Sequence, residues 1–137
     1  MHPDPLFSAL VATAFAGSMS ARITVQIGGV FIHGALISEK TYFTGIRDQL
    51  AYEGTHGATL VANLFQNSLE AGAFDQTTEE QQMNAPMFFL QDAITYAADQ
   101  PALWLGWWRG RVDAVTGWSW EKPQKLVVED ADATSNE

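Results

Sequence analysis

Few residues in this chain could do chemistry: three histidines (His2, His33 and His56), two aspartates around a strand-like stretch (Asp92 and Asp99), and two arginines set among tryptophans (Arg109 and Arg111). A metal needs several such groups converging at ligand spacing, most simply at i and i+4 on a helix or in an HExxH pattern. None of the three histidines has a partner at i+4, so no metal site is expected, and His33 reads as a strand residue. Cysteine is absent, which excludes disulfides, thiolate nucleophiles and Cys-ligated zinc. No GxSxG, Walker A or GxGxxG motif occurs, and Gly28-Gly29 is accounted for by hairpin geometry rather than by a phosphate cradle. Asp92 and Asp99 could approach one another across a strand end, and paired carboxylates can do acid/base work. Turn and sheet-edge positions explain them more simply, so no catalytic residue, no cofactor and no enzymatic activity are expected.

The aromatic residues say more. Trp104, Trp107, Trp108, Trp118 and Trp120 fall in the single stretch LWLGWWRGRVDAVTGWSW, with Arg109 and Arg111 flanking Gly110. Aromatic side chains interleaved with basic ones can form a platform for single-stranded nucleic acid. Trp and Arg are also the residues enriched at protein-protein hot spots. Sixteen acidic residues against seven basic give a net charge of −9, which repels phosphate backbones and disfavours the first use. Alternation along a strand puts Trp107 opposite Trp108 and Trp104 opposite Trp107, so the five indoles cannot all lie in one core. Indoles left off the core either pack under the N-terminal and inserted helices or form an oligomer or partner-binding surface, and Trp104, Trp107, Trp108, Arg109 and Arg111 are the candidate partner-binding residues.

These residues need elements to position them. Asp4 before Pro5 reads as an N-cap and first helical position, followed by an apolar stripe of Leu6, Phe7, Leu10, Val11, Ala14 and Phe15 and closed by Gly17. The same segment resembles a secretory leader, but no Lys or Arg precedes it and Pro3, Asp4 and Pro5 do, so a helix is expected instead. The period then changes to two through Ile23, Val25 and Ile27, and Gly28-Gly29 separates this run from a second one continuing to Ile37. Ser38 has N-cap chemistry, and Tyr42, Phe43, Ile46 and Leu50 recur at helical spacing. A further helical pattern carries Leu60, Val61, Leu64, Phe65 and Leu69 toward Gly72, making a helical insertion over about 39–72. The polar, aperiodic stretch 74–85 reads as a mobile connection. Strand character returns at MFFLQDAITY, then in the tryptophan stretch, where Arg109-Gly110 suits a bend between two strands or a bulge in one long strand, and Val112, Ala114, Thr116, Trp118 and Trp120 share a face under strict alternation. Residues 126–137 form an acidic tail, expected to be disordered, after a single domain spanning 1–125.

Length and composition agree with that outline. A chain of 137 residues, 47% hydrophobic and 17% charged, can bury one core, and its longest apolar runs fall short of the roughly 20 residues of a membrane span. No membrane partner is expected.

The outline gives an α+β fold: an N-terminal helix followed by a strongly bent five-stranded antiparallel sheet with a helical insertion after the second strand. It resembles an Sm-like small β-barrel. VQIGGVFIHGALIS is similar to the first two strands of such domains, with Gly34 where they bend; FFLQDAITY is similar to the third, and WRGRVDAV to the Arg-Gly turn between the fourth and fifth. The Asp-to-Asn motif by which Sm-type proteins read bases is replaced here by SEKTYF, and the long helical insertion departs from the plain Sm pattern.

Two further stretches are more specific: IGGVFIHGALISEKTYF, a Gly-rich hairpin running into an Ile-Ser-x-x-x-Tyr-Phe helix start, and FFLQDAITY followed by WWRGRVDAVTGWSWEK, a C-terminal strand pair. Over about residues 22–122 these resemble the corresponding segments of gas vesicle accessory proteins of the GvpU type. The resemblance implies a non-enzymatic accessory protein in a prokaryotic cytoplasm, associated with gas vesicles. Its expected partners are the vesicle shell or other accessory proteins, and a homo-oligomer is expected. The alternative is an Sm-like oligomeric nucleic-acid-binding protein.

Overall fold

The computed structural model describes residues 4–16, 21–75 and 78–124. Helix α1 spans Pro5–Phe15, and Asp4 caps it by accepting from the Leu6 amide at 2.9 Å. The strands β1 (Ala21–Ile27) and β2 (Val30–Ile37) flank the two-residue turn Gly28-Gly29, where Gly28 takes φ 60° without a Cβ penalty. Ser38 and Thr55 then cap α2 (Glu39–Glu53) and α3 (His56–Glu70), which pack against one another as the helical insertion. The expected closure of α1 at Gly17 and the acidic tail lie outside the described residues.

The segment 74–85, expected as a connection, contains a further short helix, α4 (Glu79–Met83). Its cause is local: Thr78 and Gln81 form a reciprocal capping box that satisfies two backbone amides. That signal lies in the sequence TEEQ, where the polar run hid it.

The C-terminal half supplies β3 (Met87–Ala97), β4 (Leu103–Arg111) and the three-residue β5 (Gly117–Ser119). All neighbours are antiparallel, in the order β4-β3-β2-β1-β5. The sheet is thus the expected five-stranded, barrel-like one, but it is left open, with β4 and β5 as its edges. Of the two readings of Arg109-Gly110, the continuous strand is the one found, because β4 runs through it to Arg111, with the irregularity of the strand lying elsewhere. Strict alternation from Val112 fails, because Val112–Ala114 is a 3-10 turn.

What Gly110 provides is space. A Cβ there would lie 2.5 Å from the Trp108 ring, so glycine makes room for an indole instead of turning the chain. Gly34 similarly lets β2 approach β3, a Cβ meeting the Gln91 carbonyl at 3.1 Å, and the β2–β3 register shifts beside it.

Phe88, Phe89 and Leu90 are all fully buried, which requires cover on both faces of β3, since successive strand residues point opposite ways. Phe88 meets Phe7 of α1 edge-on at 5.1 Å and Trp108 at 5.7 Å. Phe89 meets Tyr42 of α2 at 4.9 Å and Phe15 at 5.9 Å, while Phe43 stacks on Phe74 at 4.0 Å. Each such burial is worth roughly 1.5–3 kcal/mol, so these rings hold α1 and α2 to the sheet. Leu6, expected on the apolar stripe of α1, is instead 62% exposed at the first turn.

Candidate functional site

Edge strand β4 is built around a double irregularity. Leu90 faces Trp108, Ala93 faces Gly106 and Ile94 faces Trp104, so an extra residue stands first on β3 and then on β4. The backbone bears this out: Asp92 takes φ 56° and Gly106 φ 72°, left-handed conformations that Asp tolerates and Gly adopts freely. The consequence corrects the alternation argument. The extra residue resets the pleat, and Trp104 and Trp107, expected on opposite faces, line the same cleft. That cleft, of about 570 Å³, lies between Ile46, Gln49 and Leu50 of α2 and the segment Trp104–Trp107, with Asp92 also lining it.

The five candidate residues separate into two kinds. Trp107 turns toward α2, its ring against Gly45 and edge-on to Tyr42 at 6.2 Å. Trp108 turns the other way, onto Phe88. Both are half-buried. Trp104 is 66% exposed and adjoins Leu103, 60% exposed, and the exposed Leu105. Arg111 is held by Asp113 in a bidentate pair at 2.9 and 2.7 Å, which raises the affinity of the guanidinium for its proton and lowers that of the carboxylate. Arg109 is exposed and makes no ion pair among the described residues. It lies near Tyr42, whose hydroxyl burial pushes to a higher pKa, an effect the nearby guanidinium partly offsets. One of the two arginines is thus neutralised, which weakens a phosphate-binding reading of the pair.

The remaining tryptophans serve the N-terminal helix. Trp118 lies 6.5 Å from Phe7 and donates its indole N–H to Asp4 at 3.0 Å, and Trp120 meets Trp118 edge-on. The indole bond, followed by the Leu6 amide, holds the Asp4 carboxyl below its ordinary pKa.

The chemical candidates do not assemble. Asp92 lines the cleft beside α2, whereas Asp99 sits at φ 59° in the β3–β4 turn and lines a different one. His56 opens α3, and His2 lies outside the described residues. Among the described residues no group of three or more His, Asp or Glu side chains could hold a metal.

His33 is buried in the sheet opposite Thr24, as a strand residue. Thr24 has one hydroxyl proton and donates it to the Glu121 carbonyl, so its oxygen must accept from His33 Nδ1–H at 2.9 Å. Nε2 is then left as an acceptor facing Arg22 Nε at 3.4 Å. Burial first, and then the nearby Arg22 and Lys122, keep this imidazole neutral by lowering its pKa. The cluster fastens the segment at Glu121 to the middle of β1 and β2, a path sequence reasoning missed because Thr24 and Glu121 are 97 residues apart.

None of the described helices is long and apolar enough to cross a membrane. No curated protein and no solved structure matches the chain. A family model does, described as gas vesicle protein GvpU-like, over residues 4–123, from the Asp4 cap through all five strands to the segment that crosses Thr24. The chain belongs to this GvpU-like family and is a gas vesicle-associated protein.

Proposed function

We propose that the chain is a non-enzymatic accessory protein that binds the gas vesicle shell or other accessory proteins through the open β4 edge, and so acts in vesicle assembly or vesicle-vesicle association in a prokaryotic cytoplasm. One observation carries this reading: among the described residues β4 pairs only with β3, and it presents Leu103, Trp104 and Leu105 to solvent along its first half. An edge strand offers unpaired backbone groups for pairing, and exposed aromatic and aliphatic side chains beside them supply area for burial. Natural sheets ordinarily blunt such an edge with charge or proline, and here the charge, Arg109 and Arg111, falls only in its second half. The second edge, β5, gives each chain two places to pair, which supports a homo-oligomer.

Sedimentation with purified vesicles tests the reading. Trp104→Ala removes the most exposed large ring of the edge and should weaken co-sedimentation by about thirtyfold, the hot-spot scale of roughly 2 kcal/mol, while leaving the fold intact. Unchanged co-sedimentation of Trp104→Ala would remove β4 from the account.

A further inference from the structure

Helix α3 carries apolar residues on two opposite sides. Its inner side holds the buried Ala62, with Phe65 and Leu69 against the core and the Phe65 ring 5.2 Å from Phe43 of α2. Leu60 and Leu64 stand two residues to either side of Ala62, so at 3.6 residues per turn they point away from it, and they are 57% and 60% exposed. Val61 beside them is 40% exposed. A surface helix ordinarily turns charged side chains to solvent, as α2 does with Lys40, Asp48 and Glu53. From Gly57 to Leu69, α3 has none.

We infer that this outer face is an interface between two copies of the chain, in which α3 packs antiparallel against α3 of a second copy about a two-fold axis. The spacing is self-complementary. With the axis at the level of Ala62, Leu60 faces the partner's Leu64 and Leu64 the partner's Leu60, while Gly57 falls opposite the partner's Asn67. A Cβ at Gly57 would meet nothing within 4 Å, so the space that the asparagine needs is open. Charge favours a second copy as the occupant. Chains of net charge −9 repel over most of their surface, and a helix face free of carboxylates is where two of them can approach. The same face offers no charged group with which to select an acidic or basic partner. Three exposed apolar side chains on each copy fall well short of the roughly 20–30 residues a side of a standard interface, so the pairing is weak and reversible. The inference rests on the proposed binding role of β4 only for its consequence. Among the described residues the β4 cleft is lined by α2, β3 and β4, so the pair leaves both β4 edges open, and two chains that each hold a vesicle at β4 are joined through α3. Weak pairs suffice there, because many chains on facing vesicles engage together.

The chain has no cysteine, so introduced thiols are the only ones. Full chains carrying Leu60→Cys and Leu64→Cys are mixed in equal amounts and oxidised, and the linked peptides are counted by mass spectrometry. Leu6→Cys, at an exposed site on α1, reports random collision. The antiparallel pair sets position 60 against position 64 of the other copy and holds like positions about 6 Å apart along the axis, beyond the reach of a disulfide. The expected result is a link between 60 and 64 forming at least about tenfold faster than a link between two like positions, including two Leu6→Cys chains. Equal rates, or faster links between like positions, would overturn the inference. In the cysteine-free chain, Leu60→Glu should leave the circular dichroism spectrum unchanged and move association in light scattering to about tenfold higher concentration, whereas Leu60→Met should leave association as it is. Unchanged association of Leu60→Glu would assign self-association to the sheet edges alone and overturn the α3 pair. Trp104→Ala should release vesicles and keep the link between 60 and 64, so failure of the vesicle reading and failure of this one are separate results.

Discussion

Gly45 gives the sharpest test of how the binding edge is held. It sits inside α2, where glycine is ordinarily the poorer choice and replacement by alanine gains roughly 0.8–1 kcal/mol of helix propensity. Here an added Cβ would lie 2.2 and 2.3 Å from two atoms of the Trp107 six-membered ring, closer than van der Waals contact allows. The ring cannot simply turn aside, with Tyr42 edge-on to it at 6.2 Å and its own strand bulged at Gly106. Overpacking of this kind costs typically 1–3 kcal/mol, so Gly45→Ala should come out net destabilising by about 1 kcal/mol. Trp107→Leu removes the ring atoms that collide. In that background Gly45→Ala should regain its propensity and stabilise by about 1 kcal/mol, a reversal of sign with a coupling of about 2 kcal/mol. Urea denaturation of the four proteins closes the cycle. Stabilisation by Gly45→Ala in both backgrounds would show that Trp107 does not seat on α2, and the cleft between α2 and β4 would go with it.

Three further outcomes follow from the same geometry. His33 has a pKa depressed below its ordinary 6.5, so the unfolded chain takes up the proton first; stability is complete above about pH 6.5 and falls as pH drops through the folded value. His33→Gln should flatten that part of a pH-stability curve, and an unchanged slope between pH 7 and 5.5 would remove His33 as its source. Asp4→Ala removes both the α1 cap and the acceptor of the Trp118 indole and should lower the midpoint of thermal or urea unfolding, whereas an unchanged midpoint would mean that Asp4 does not cap α1. Light scattering across a dilution series should show association above the 15.0 kDa chain mass, because two sheet edges are open, and a monodisperse monomer throughout would contradict the homo-oligomer.

What could be read from the sequence was what neighbours in the chain decide. Gly28-Gly29 between alternating runs, Asp4 before Pro5, and Ser38 before a helical period each state their geometry within a few residues, and the structure has the hairpin and the two caps where they predict them. Even α4, overlooked in a polar run, carries a local signal in Thr78 and Gln81. What could not be read depends on contacts across the sheet. Gly110 looks like a turn residue until Trp108 is seen to fill the space above it, and Trp104 looks opposed to Trp107 until the bulges at Asp92 and Gly106 reset the alternation. The candidate residues Trp104, Trp107, Trp108, Arg109 and Arg111 were visible as a cluster. Their division into packed rings, an ion-paired Arg111 and an accessible Trp104 and Arg109 was not, because burial and pairing belong to the fold.

Binding to vesicles through an apolar edge is the central claim, and its most direct test is co-sedimentation of the full chain with purified gas vesicles at low and high salt, alongside retention on single-stranded RNA at the same two concentrations. An edge led by Leu103, Trp104 and Leu105, on a chain of net charge −9, should hold vesicles with only a modest loss as salt rises, and should retain little RNA at either concentration. Tight RNA retention that falls steeply with salt, with no vesicle association, would contradict the account and make the strand a nucleic-acid surface.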